Sequence, residues 1–183
     1  MHDQSLTVQK LQGLKLGKIM EVFSTLPAPG FFEMNGEYKA NLMDHGNFLN
    51  NMASNLLIGT SLFDGVWLCK CFTPESGTQG WGYNSFRKSG RVVRKYPMKT
   101  SIVKSRFDGR DVFQLYYPGF KSRIGAINMV DEVRKVNDNL YLGVGTWGFT
   151  KKQRMIPLPF TLSGPPEPFV GVDKPLKHAE QLT

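Results

Sequence analysis

Residues 91–117, RVVRKYPMKTSIVKSRFDGRDVFQLYY, hold two extended segments around a turn. Segments 91–104 and 112–117 are rich in β-branched and aromatic residues, lack helical spacing, and are joined through Asp108-Gly109. Asp-Gly is a strong tight-turn signal because glycine takes positive φ without steric cost and aspartate bonds its own backbone. The two segments are therefore expected to be antiparallel neighbours.

Working outward, the same grammar recurs. Extended segments are expected at 66–72, 82–87, 126–136, 141–147 and 155–162, separated by Pro74-Glu75-Ser76-Gly77, Lys88-Ser89-Gly90, Pro118-Gly119 and Asn137-Asp138-Asn139. No connection is long enough for a crossover helix, which excludes parallel βαβ units and a dinucleotide fold. The expectation is a mainly β, antiparallel up-and-down barrel of at least seven strands. In the last segment Pro157 and Pro159 share a face and cannot donate to a ladder, so it belongs at an edge or at the barrel seam.

Upstream the period is helical. Residues 6–23 place Leu11, Leu14, Ile19, Val22 and Phe23 opposite Lys10, Lys15 and Lys18, an amphipathic helix that Gly13 and Gly17 weaken and that is expected to dock on the domain. Residues 24–31, with Pro27, Pro29 and Gly30, form a connector. Tyr38, Leu42, Leu49, Met52 and Leu56, followed by Gly59, predict a leading helix over 37–58. The organisation read this way is an arm over 1–31, one barrel domain with its leading helix over 32–164, and a tail over 165–183.

Gly65-Val66-Trp67 opens the first barrel segment directly after that helix, and resembles the Gly-x-Trp signature of lipocalin-like (calycin-type) barrels. Met129–Asn139 with Leu142-Gly143 is similar to the late strand and turn of bacterial GxWxG-type proteins, with Cys69 standing where the shorthand motif has glycine. The resemblance covers residues 65–162. It implies an up-and-down barrel with tryptophan plugging one end.

Composition bounds the partners. The chain of 183 residues carries a formal net charge of +8, and the excess is local: residues 61–110 hold 10 Lys/Arg against 3 Asp/Glu, whereas residues 1–60 hold 4 against 5. Such clustering attracts anions through the summed field. Cys69 and Cys71, the only cysteines, lie two apart on an extended segment, too far for a bridge, and are expected to be free thiols. His2, His45 and His178 show no ligand spacing, so neither a metal nor a cofactor is expected. No secretory signal or transmembrane run is evident, so the expected compartment is the cytoplasm. The arm is a candidate homodimer contact.

Alternate side chains of a barrel point inward, and an eight-stranded barrel is either packed solid or holds one small ligand. If Trp67 faces inward, strict alternation turns Cys69 and Cys71 inward too. Glycines 80, 82, 143 and 145 beside Trp81, Tyr83, Tyr141 and Trp147 either leave space for a guest or bend the strands. On 126–136, Asp131 and Glu132 lie on opposite faces, so one carboxylate points inward and needs a partner. Arg94 and Arg106 are candidate partners.

Three functions follow from this reading. The first is binding of a small hydrophobic, acidic or neutral molecule inside the barrel, contacted by Trp67, Tyr83, Arg94, Tyr116, Arg134, Tyr141 and Trp147. The second is an isomerase, cyclase or hydratase with Asp131 or Glu132 as the catalytic acid or base. The minor third is nucleic-acid or anionic-surface binding by Arg87, Lys88, Arg91, Arg94, Lys95, Lys99, Lys104 and Arg106.

Overall fold

The computed structural model describes residues 6–43 and 65–173. Eight antiparallel strands in sequence order form a closed barrel: β1 (Gly36–Leu42), β2 (Val66–Pro74), β3 (Gln79–Lys88), β4 (Arg91–Lys104), β5 (Asp111–Tyr116), β6 (Val130–Asn137), β7 (Leu140–Thr146) and β8 (Leu158–Glu167). The proline-bearing segment is the closing strand. β8 pairs with β7 on one side and β1 on the other, and runs to Glu167, into what reads as tail.

Three sequence expectations are corrected. Residues 36–42, read as the start of a helix, form β1, while the rest of that expected helix beyond Met43 lies outside the described residues. Tyr38 and Leu42 satisfy a four-residue period, but with Ala40 they also satisfy a two-residue one, and all three pack in the barrel interior. A sheet that must close between β2 and β8 selects the second period. Residues Arg123–Ala126, expected near the start of a strand, form a short helix, α3, capped by Ser122 Oγ accepting from the Gly125 amide at 3.0 Å. The expected arm helix is two helices, α1 (Val8–Gln12) and α2 (Leu16–Thr25), because the chain breaks at Gly13.

Two apolar clusters hold the molecule together. The interior one sets Trp67 edge-to-face against Phe160, Phe72 against Phe113 and Tyr38 against Tyr141, with ring centroids 5.8, 5.3 and 5.5 Å apart, and Phe31 from the connector reaches Phe113 at 5.8 Å. The second lies outside: Leu11, Ile19 and Phe23 of the arm cover Val112, Val136, Leu142 and Val144. The arm's apolar face is thus buried on its own barrel. No helix among the described residues is long and apolar enough to cross a membrane.

The interior glycines are occupied by neighbours. A Cβ on Gly143 would meet the Phe160 ring at 2.2 Å, and one on Gly145 would meet Asp131 Oδ1 at 2.8 Å. Aromatic and carboxylate side chains of β8 and β6 lie across these two positions of β7. Gly143→Ala is therefore expected to cost ~1–3 kcal/mol through overpacking. Urea denaturation would show it, and pairing the change with Phe160→Leu should restore most of the loss.

Candidate functional site

The barrel interior is mainly apolar, and a fully buried ion pair lies at one place in it. Lys70 of β2, Asn84 of β3, Asp131 of β6 and Tyr117, just past β5, meet there, and each is at most 3 % exposed. Lys70 Nζ lies 2.7 Å from Asp131 Oδ2, donates to the Tyr117 hydroxyl at 2.6 Å and to Asn84 Oδ1 at 3.1 Å. All three ammonium protons therefore have an acceptor. The Tyr117 hydroxyl donates to Asp131 Oδ2 at 3.2 Å and accepts from Asn84 Nδ2 at 3.1 Å, and Trp67 Nε1 donates to Asn84 Oδ1 at 3.2 Å. Around this network the Trp67, Tyr117 and Phe160 rings stand 5.1, 5.2 and 5.1 Å from the ammonium.

A β-bulge puts Lys70 inside. The β2–β3 register pairs Trp67 with Phe86 and then Cys69 with Ser85, so the extra residue reverses the alternation. Trp67 faces inward, but Lys70 and Phe72 follow it there, and Cys69 and Cys71 turn to the outer wall. This corrects the strict alternation expected above. Both thiols are free, and burial pushes each thiol's pKa up, so neither is an activated nucleophile.

Electrostatically the cluster is tense. Burial pulls the Lys70 ammonium below the ordinary lysine range, opposed by the Asp131 charge beside it. Burial, and then Asp131, push the Tyr117 hydroxyl well above the usual tyrosine range, so it stays protonated and donates. A cavity of about 10 Å³ adjoins the cluster, walled by Lys70, Asn84, Tyr117, Phe86, Tyr96 and Met129. That is room for one water. Tyr96 stands at its edge with φ +61°, a left-handed conformation that costs a bulky residue of order 1 kcal/mol or more.

The candidate residues separate into three places. Trp67 and Asp131 meet in the polar cluster. Tyr141 lies in the interior against Tyr38, and Trp147 packs at the rim of the interior cluster. The others are on the outer wall. Glu132 is buried there, accepting from Ser105 Oγ at 2.6 Å and paired with Arg106 at 3.1 Å. Tyr83 donates to Glu37 at 2.5 Å, and Arg94 reaches the same oxygen at 3.1 Å. Residues 169–171 cover that pair, with Phe169 against Trp81 and Tyr83 and the Val170 and Gly171 amides donating to the Tyr83 hydroxyl at 3.1 Å. Tyr116 is exposed, and Arg134 is fully buried under the arm.

Sequence reading missed Lys70, Asn84 and Tyr117. The signal for Tyr117 was present: Phe113, Leu115 and Tyr117 alternate as the more apolar face of their segment, whereas Gln114 and Tyr116 mark the outer one. Lys70, within Trp67-Leu-Cys-Lys-Cys-Phe72, could be placed only by seeing the bulge. Among the described residues no group of three or more His, Cys, Asp or Glu is placed to hold a metal.

No family model matches the chain, and no curated protein matches it in sequence. Among solved structures, the crystal structure of a protein from Thermomonospora curvata superposes with a TM-score of 0.54 at 18% identity, covering 85% of this chain and 91% of that one. The likeness is one of fold.

Proposed function

We propose that this barrel binds a small, largely apolar molecule at its interior polar cluster, with the polar end of the guest received by Lys70, Tyr117 and Asn84. The observation that carries this reading is the buried Lys70–Asp131 pair at 2.7 Å inside an aromatic barrel. Stability does not ask for it: taking two charges out of water usually costs as much as their attraction returns, and apolar replacements of equal volume are often neutral or stabilising. A guest's carbonyl or carboxylate oxygen entering beside the cavity competes with Asn84 Oδ1 and the Tyr117 hydroxyl for the Lys70 ammonium protons. Because the cavity is no larger than one water, the guest enters by displacing Tyr96, whose strained backbone gains by moving.

A second reading assigns the same cluster proton transfer, with Asp131 and Lys70 exchanging a proton and Tyr117 stabilising negative charge on an oxygen. The lowered affinity of Lys70 for its proton favours it. Both readings share one test. Native mass spectrometry of the protein from its own host should show a retained small molecule, absent from a Lys70→Met/Asp131→Leu variant prepared in parallel. The proposal falls if neither protein retains one, or if both retain it equally.

A further inference from the structure

The outer wall of β5 and β6 carries a second concavity. Gln114, Tyr116, Glu132 and Arg106, with Lys151 and Arg154 of the 147–157 segment, line an open groove of about 530 Å³. That lies within the roughly 300–1,000 Å³ of small-ligand sites.

The charges in it are arranged rather than merely numerous. Glu132, the acid in its lining, is only 1 % exposed and already committed: it accepts from Ser105 Oγ at 2.6 Å and from the Arg106 amide and Nε at 3.0 and 3.1 Å. Arg106 Nη1 also donates to Thr146 Oγ1 at 2.7 Å and to the Arg154 carbonyl at 3.4 Å, so its guanidinium is held rigidly at the groove wall. Lys104, at the edge, is matched by Asp111 at 2.8 Å. Lys151 and Arg154 have no carboxylate partner among the described residues. With the Arg106–Glu132 and Lys104–Asp111 pairs cancelling, the groove presents two uncompensated positive charges beside the half-exposed ring of Tyr116.

We propose that this groove binds a phosphate monoester bearing a planar ring, of the nucleoside monophosphate class. Such a phosphate carries about −1.5 to −2 charge at neutral pH, which matches the two free cations. Arg154 and Lys151 hold the phosphate, Tyr116 stacks on the ring, and the Gln114 amide offers a donor and an acceptor to its edge. A continuous track for a nucleic-acid strand is disfavoured because half of the eight cations of the basic 87–106 stretch are engaged internally: Arg94 on Glu37, Lys104 on Asp111, Arg106 on Glu132, and Lys95 over the Phe86 and Tyr96 rings. The site lies on the opposite side of the barrel wall from Lys70, and the proposal stands independently of the interior reading.

Calorimetric titration of the full chain with AMP, GMP, CMP and UMP, each run separately, tests it, alongside inorganic phosphate and a 12-nucleotide single strand. Saturable binding of at least one monophosphate is expected, weakened about tenfold to a hundredfold by Lys151→Ala/Arg154→Ala, the worth of one or two charge-assisted hydrogen bonds. Tyr116→Ala, at an exposed position that the fold tolerates, should weaken the nucleotide but not inorganic phosphate. The proposal is overturned if none of the four binds, if the double variant binds as the parent does, or if the single strand binds more than tenfold tighter with a steep dependence on salt.

Discussion

Asp131→Asn is expected to destabilise the protein by ~3–5 kcal/mol, whereas the Lys70→Met/Asp131→Leu double variant should hold or exceed the parent's stability. The single change leaves a buried ammonium without its counter-ion, 2.7 Å from an amide that no longer carries charge. The double change removes both desolvation penalties, the Asn84 contacts to Tyr117 and Trp67 at 3.1 and 3.2 Å persist, and the Tyr117 hydroxyl proton is the one donor that loses its acceptor. The pH dependence of Asp131→Asn carries a sign. Lys70 already binds its proton more weakly folded than unfolded because of burial, and losing Asp131 weakens it further. Between the folded value and the unfolded one, near ~10.4, the unfolded chain holds more protons, so stability of the variant rises with pH across that window. Urea midpoints of the three proteins at neutral and alkaline pH check this. A double variant as damaged as the single one would mean that the pair is there for stability, and would remove the argument for a ligand.

Arg134→Ala should be comparably costly, ~3–5 kcal/mol, through the arm rather than through the barrel interior. Its guanidinium is fully buried, grips both oxygens of Asp108 at 2.7 Å, donates to the Phe23 carbonyl at 2.8 Å, and lies 4.6 Å over the Phe23 ring. Arg110 adds a second tie, to the Ser24 carbonyl. Truncating Arg134 strands a carbonyl and a carboxylate and uncovers the apolar face that α2 lays on β5–β7. Calorimetric melting should show the loss, and limited proteolysis should cut first between residues 12 and 30. The Arg134 hydrogen bonds hold the Asp108 carboxyl below the usual aspartate range. The folded value being the lower one, this contribution is complete above the unfolded value of ~3.9 and fades as pH falls through the folded one. The gap between parent and variant should therefore narrow in acid. A gap unchanged at pH 2 would mean that Arg134 acts by packing alone.

Several features were legible before any fold was known because they rest on local chemistry. Asp108-Gly109 and the other turn signals set the order of strands, the absence of crossover lengths made them antiparallel, and Asp131 and Glu132 had to face opposite ways, with a partner needed by the inward one. The partner of the inward acid Asp131 is Lys70 rather than an arginine, and Arg106 pairs instead with the outward Glu132. The amphipathic arm was visible as well, since Leu11, Ile19 and Phe23 share a face whatever they dock upon.

The rest was decided by contacts between residues distant along the chain. Tyr38 and Leu42 fit a helix or a strand equally, and only a sheet needing its eighth member makes them a strand. Nothing local marks the extra residue between Trp67 and Cys69, which appears only when β2 is registered against β3, and it exchanges two cysteines for a lysine in the interior. The space over Gly143 and Gly145 is filled by Phe160 and Asp131 from the flanking strands. Periodicity is a property of one segment, but which face is inside, and what fills it, is a property of the pair.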